Sequence, residues 1–168
     1  TIQSTFTDFR YLRPIWKKNC DEERLLGVGL SAIMDNPVMY THQYTKEISD
    51  KYTAGTFQTL EQTLQHLKQS AIDTNKVWAN RFKINQSASI TCIKPDGNSS
   101  QLNNCSSGIH PAYSKYYVRT VRASSKDPIV KFLKDKGISI EPDINNPLNT
   151  SIISFPIKVS DTSVLRDN

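Results

Sequence analysis

Residues 89–102 constrain this chain most, because they read in succession as a strand, a tight turn and a helix start. Ser89-Ile90-Thr91-Cys92-Ile93 is short, apolar and β-branched, the composition of a buried strand. Pro95 fixes φ and ends strand pairing. Gly97 admits a positive φ that other residues resist, and Asn98 or Ser99 is placed to cap the helix that follows. A helix start behind a glycine turn presents free backbone N–H groups at the positive end of the helix dipole. That arrangement suits an anion, phosphate above all. Pro95, Asp96, Gly97, Asn98, Ser99 and Ser100 are therefore the candidate phosphate-binding residues, with the Ser99 and Ser100 hydroxyls as two further donors. The pattern is no Walker A loop, since Lys94 precedes the turn. Asp96 opposes an anion unless its carboxylate turns away. A plain strand-to-helix turn that binds nothing has the same composition.

Length and charge set further bounds. At 168 residues the chain has material for one domain with a core. Its formal charge of +5 and pI near 9.1 suit an anionic ligand without specifying one. No block of like charges marks a nucleic-acid tail. Three cysteines without a CxxC pair point to a reducing, cytoplasmic setting. Mean hydropathy is −0.50, and no apolar run is long enough to span a membrane. Thr1 instead of an initiator Met, no signal-peptide pattern, and no terminator signal over residues 164–168 together read as an excerpt of a longer protein.

Along the chain, Phe9, Leu12 and Trp16 share a helical face that Pro14 interrupts, giving two short helical pieces. Residues 25–30 read as a buried strand whose glycines, Gly27 and Gly29, mark a close backbone approach. A short helix over 31–39 should stop near Pro37, and 40–56 reads as a connecting excursion. His42 has no metal-ligand companions at suitable spacing, and no metal site is expected. Residues 59–82 form the clearest helix, with Leu60, Leu64, Leu67 and Ala71 in one stripe and Thr59 with Gln62 as a capping box. His66, on the flank of that stripe, reads as solvated. Residues 116–122 read as a strand with Arg119 and Arg122 on opposite faces, each suited to a structural ion pair. Asp127-Pro128 opens a helix that closes at Gly137, and 138–140 and 151–159 read as strands.

Several of these stretches resemble a known family. Lys94-Pro95-Asp96-Gly97-Asn98-Ser99-Ser100, then Ser106-Ser107-Gly108-Ile109-His110-Pro111, then Tyr116-Tyr117-Val118-Arg119-Thr120-Val121-Arg122, resemble the C-terminal half of a ribonucleotide reductase catalytic chain. Adenosylcobalamin-dependent (class II) ribonucleoside-triphosphate reductases are the nearest in kind. Residues 23–31 resemble the entry into a glycine-containing barrel strand, and Phe155-Pro156-Ile157-Lys158 a late strand of the same domain. The resemblance implies an α/β fold, part of a ten-stranded α/β barrel that is incomplete in this chain. It implies residues 1–168 as one segment of that catalytic domain. The implied cofactor is adenosylcobalamin, and the implied partners are a ribonucleoside triphosphate, a thioredoxin-like dithiol reductant and the rest of the reductase chain. The 95–100 turn would hold the substrate phosphates, and His110 would lie on a turn lining the catalytic pocket. Asp96 and Asn98 stand where Ser and Thr are frequent in the family; backbone donors survive that change. Asn19-Cys20-Asp21-Glu22 mimics the family's radical loop, but its spacing differs and it sits on the wrong side of residues 24–27. No catalytic cysteine or glutamate carries over, so this segment alone should not turn over. The competing reading is a basic module that binds nucleotides or single-stranded nucleic acid without catalysis, through the 95–100 turn and Tyr116 and Tyr117.

Overall fold

The structure, a computed structural model, describes residues 1–166; part of the predicted open end at 164–168 lies outside the described residues. The chain is mixed α and β and divides into two units, Thr1–Pro111 and Ala112–Asn168.

In the first unit, α1 (Pro14–Glu23) follows a 3-10 turn at Ile2–Thr5. Pro14 starts this helix instead of interrupting one, because its fixed φ and missing N–H cost nothing at a first helical position. Arg24 closes the helix in the left-handed region, and its guanidinium donates to the Ser4 carbonyl (2.7 Å) and pairs with Asp21 (2.9 Å). Cys20, Asp21 and Glu22 therefore belong to the last turn of a helix.

Pro37 likewise begins a helix where the sequence suggests a stop. The 31–39 region is a 3-10 turn, Ile33–Asp35, followed by α2 (Pro37–Tyr40), with Asn36 accepting from the Val38 amide. The 40–56 excursion contains α3 (Lys46–Thr53), capped by Thr45. The long α4 (Leu60–Phe82) starts as expected, with Thr59 accepting from the Gln62 amide (3.2 Å). The reciprocal bond of the box goes to the Gln58 amide instead of Thr59 (2.8 Å).

Residues 25–30 and 89–93 pair in parallel. Leu26 and Val28 amides donate to Ser89 and Ile90 carbonyls (3.0 and 2.9 Å), and the Cys92 amide donates to Val28 (3.1 Å). The ladder is one bridge long, Val28 to Thr91, and α4 lies between its two sides in sequence. A Cβ on Gly29 would meet the Cys92 carbonyl at 3.2 Å, so the predicted close approach is present. The expectation of buried strands here is not met: Val28 is 50% exposed and Ile93 91%. Parallel strands need cover on both faces, and the described residues do not supply it.

The α4 stripe is uncovered for the same reason, with Leu64 40% and Leu67 42% exposed. The face of α4 that does bury carries Thr63, Asn75 and Ala79. Asn75 is fully satisfied: Oδ1 accepts from the Ser87 amide (2.9 Å), and Nδ2 donates to Ser87 Oγ (2.9 Å) and Thr1 Oγ1 (3.2 Å). It thereby ties the end of α4 to the segment leading into residues 89–93.

The second unit is an antiparallel sheet in the order β1 (Tyr116–Ser124), β3 (Thr150–Lys158), β2 (Ile140–Pro142). Tyr116 lies opposite Lys158 and Ile140 opposite Ile153. Helix α6 (Pro128–Asp135) is capped by Asp127, which accepts from the Ile129 amide (2.9 Å), and Gly137 follows at φ +79°. Val130 and Ile153 are buried. Arg122 makes the structural ion pair expected of it, to buried Asp143 at 2.8 Å. The Asn145 amide and then Arg122 hold the Asp143 carboxyl below the usual aspartate range.

Candidate functional site

The turn after the parallel pair is open to solvent. Pro95, Gly97, Asn98 and Ser99 are exposed, and α5 (Ser99–Leu102) is a single turn. Among the described residues, the amides of Gly97, Asn98 and Ser99 donate to nothing. Ser100 differs: it is fully buried, and its amide donates to the Asp96 carbonyl (3.0 Å). The predicted cap is absent, since neither Asn98 nor Ser99 accepts a helix amide through its side chain. Nor does Gly97 take a positive φ; that conformation falls to Gly108, at φ +51°. Nothing lies within 4 Å of a Cβ built on Gly97, so the turn closes without needing glycine there.

Asp96 turns away from the exposed amides. Its carboxylate accepts from the Ser31 hydroxyl and from the Ser107 hydroxyl (3.0 Å). The Ser31 hydroxyl first, and then Ser107 and Gly108, hold this carboxyl below the ordinary aspartate range against the raising effect of partial burial. A second carboxylate works beside it. Asp35 accepts from both the amide (2.6 Å) and the hydroxyl (2.5 Å) of Ser106. Cys105 precedes this pair of serines, and burial followed by the charges of Asp35 and Asp96 pushes its thiol up, which makes it a poor nucleophile.

The serine-rich turn leads into an open groove of about 740 Å³. Its walls are mostly apolar, from Val28 and Leu30, Leu64 and Leu67, and Ile93 and Ile109. His110 and Lys94 also line it; the His110 amide donates to Ser107 (2.9 Å), and Lys94 Nζ to the Gly27 carbonyl (3.1 Å). The sequence thus places Pro95, Asp96 and His110 around one set of connected loops. It gives no sign of Ser31 or Asp35, whose partners lie more than sixty residues away. Among the described residues no three His, Cys, Asp or Glu side chains gather into a metal-binding group.

No family model matches the chain. It is 29% identical over 170 residues to an adenosylcobalamin-dependent ribonucleoside-triphosphate reductase of Lactobacillus gasseri, covering 95% of this chain and 22% of that protein. The reductase of the same name from Levilactobacillus brevis is 25% identical over the same shares. That from Lactobacillus acidophilus is 31% identical over 94 residues, 56% of this chain and 12% of that one. Among solved structures, a B-12 dependent (class II) ribonucleotide reductase superposes with a TM-score of 0.62 over 88% of this chain and 22% of its own, at 21% identity. That likeness is one of fold. Over nearly its whole length, this chain is similar to one segment, about a fifth, of adenosylcobalamin-dependent ribonucleoside-triphosphate reductases.

Proposed function

We propose that this chain is one segment of the catalytic α/β barrel of an adenosylcobalamin-dependent ribonucleoside-triphosphate reductase, and that its 95–100 turn binds the phosphates of the substrate. The observation that carries the reading is the parallel pair followed at once by an exposed turn whose Gly97, Asn98 and Ser99 amides have no partner among the described residues. Backbone N–H groups left unspent at a turn are the usual cradle for phosphate oxygens. Pro95 fixes the approach, Ser100 is buried behind the turn's exposed residues, and Asp96 directs its charge elsewhere. Partners in this reading are the remaining parts of the reductase chain, the ribonucleoside triphosphate and a thioredoxin-like dithiol.

Adenosylcobalamin, bound by the whole reductase, supplies the radical chemistry; we assign none of the residues of this segment to holding it. This segment contributes position. Gripping the triphosphate fixes the ribose, and fixing reacting atoms can account for several kcal/mol of a barrier. His110, on the groove wall, is the residue here best placed to meet the rest of the nucleotide.

The test is a titration of the chain with a ribonucleoside triphosphate, followed at each backbone amide. The expected result is movement of the Gly97, Asn98 and Ser99 resonances, and tighter binding of the mononucleotide than of single-stranded DNA at raised salt. Unmoved resonances at the turn would refute the phosphate role.

A further inference from the structure

Residues 95–99 have few ties to the rest of the unit. Among the described residues, every hydrogen bond that joins them to a segment outside residues 94–105 ends on one group, the Asp96 carboxylate. Two donors from two other segments converge on it: the Ser31 hydroxyl and the Ser107 hydroxyl. Those two segments are fastened to each other independently. The Ala32 amide donates to Ser106 (3.1 Å), the Ile33 amide to Gly108 (3.3 Å), and Asp35 holds Ser106 through two bonds. They form a platform that does not need Asp96 to stay assembled. The exposed turn needs Asp96 to stay on the platform.

We propose that Asp96 is a positioning residue, the tether that fixes the phosphate turn against the Ser31 and Ser107–Gly108 platform. The proposal rests on the reading of this turn as a phosphate site. A carboxylate beside a phosphate turn is ordinarily a liability, because it repels the anion. Here its charge is met by the two serine hydroxyls, so its electrostatic cost falls and its geometry is put to use. Charge-assisted bonds to a short side chain also leave the turn little freedom, so the Gly97–Ser99 amides need no reordering when an anion arrives.

The tether and the repulsion make opposite predictions. Inorganic tripolyphosphate is titrated into the 168-residue chain and three variants, with the turn amides as the signal. Asp96→Ala removes every acceptor, and binding is expected to weaken by on the order of tenfold or more. Asp96→Asn keeps an acceptor of the same length without the charge, and should bind within about threefold of the unaltered chain. Ser107→Ala removes one donor and should fall between them. The platform bonds keep Asp96→Ala folded, which unchanged α4 resonances would show; should it unfold, the Asn and Ser107 variants still decide. Equal or tighter binding by Asp96→Ala, or intact binding by Ser107→Ala together with weakened binding by Asp96→Asn, overturns the tether while leaving the phosphate site standing. No binding by the unaltered chain overturns the phosphate site, and the tether with it.

Discussion

Of the two glycines of the functional loops, the one that takes a positive φ is not the one the sequence singles out. Gly97, in the turn, has an ordinary backbone and empty space where a side chain would go, whereas Gly108 sits at φ +51° with Asp96 Oδ1 3.5 Å from a built Cβ. Gly97→Ala should therefore leave the urea unfolding midpoint nearly unchanged, or stabilise the chain by about 0.4–1 kcal/mol through the unfolded state. In the proposed amide cradle the same methyl group would crowd an approaching phosphate oxygen, so tripolyphosphate binding should weaken. Gly108→Ala should cost about 1–2 kcal/mol for the left-handed backbone alone. Unaltered anion affinity in Gly97→Ala would speak against an amide cradle. Sequence reading identifies both turns but cannot assign their dihedrals, since the φ of each depends on where the next segment must go. It also leaves the Asp96 partners unseen, because Ser31 is brought beside Asp96 by long-range bonds: the parallel pairing of residues 25–30 with 89–93 and the ties of Ala32, Ile33 and Asp35 to residues 106–108.

At the scale of elements, what is local was legible. Helices α4 and α6, with the caps Thr59 and Asp127, and strands β1 and β3 all follow from periodicity and end signals lying within a few residues of the element itself. Thr59→Ala should cost about 1 kcal/mol, measured as a shift in thermal or urea unfolding followed by helical circular dichroism. An effect near zero would mean that the Gln62-to-Gln58 bond alone holds the first turn. Misread elements share one cause. In sequence Pro14 and Pro37 read as breaks, yet each occupies the first position of a helix, and only the conformation of the preceding residue separates the two outcomes. Burial of residues 25–30 and 89–93 was illegible for a different reason: whether an apolar strand is covered depends on elements elsewhere.

Across the whole molecule the balance of surface is unusual. The accessible area is 12482 Å², whereas two separate globules of the sizes of these units would expose about 10,000 Å². Many large apolar side chains are exposed, among them Phe6, Tyr11, Ile93 and Leu102. The chain spans about a fifth of the length of the relatives it matches. Incubated with a ribonucleoside triphosphate, adenosylcobalamin and a dithiol, the chain alone should form no deoxynucleotide; measurable product by chromatography would contradict the reading of it as a positioning segment. No described helix is long and apolar enough to cross a membrane.

The single bridge from Val28 to Thr91 has a consequence for how the chain reaches its form. Its two sides are separated by roughly sixty residues, so the entropy of closing that loop is spent before the meagre reward of a few amide bonds arrives. Among the described residues, apart from the Lys94 bond to the Gly27 carbonyl, the outer rims of such a ribbon can accept another extended backbone. A neighbour arriving during synthesis would zip onto those rims and finish the sheet, while at high concentration further copies of the same polypeptide would compete to do so.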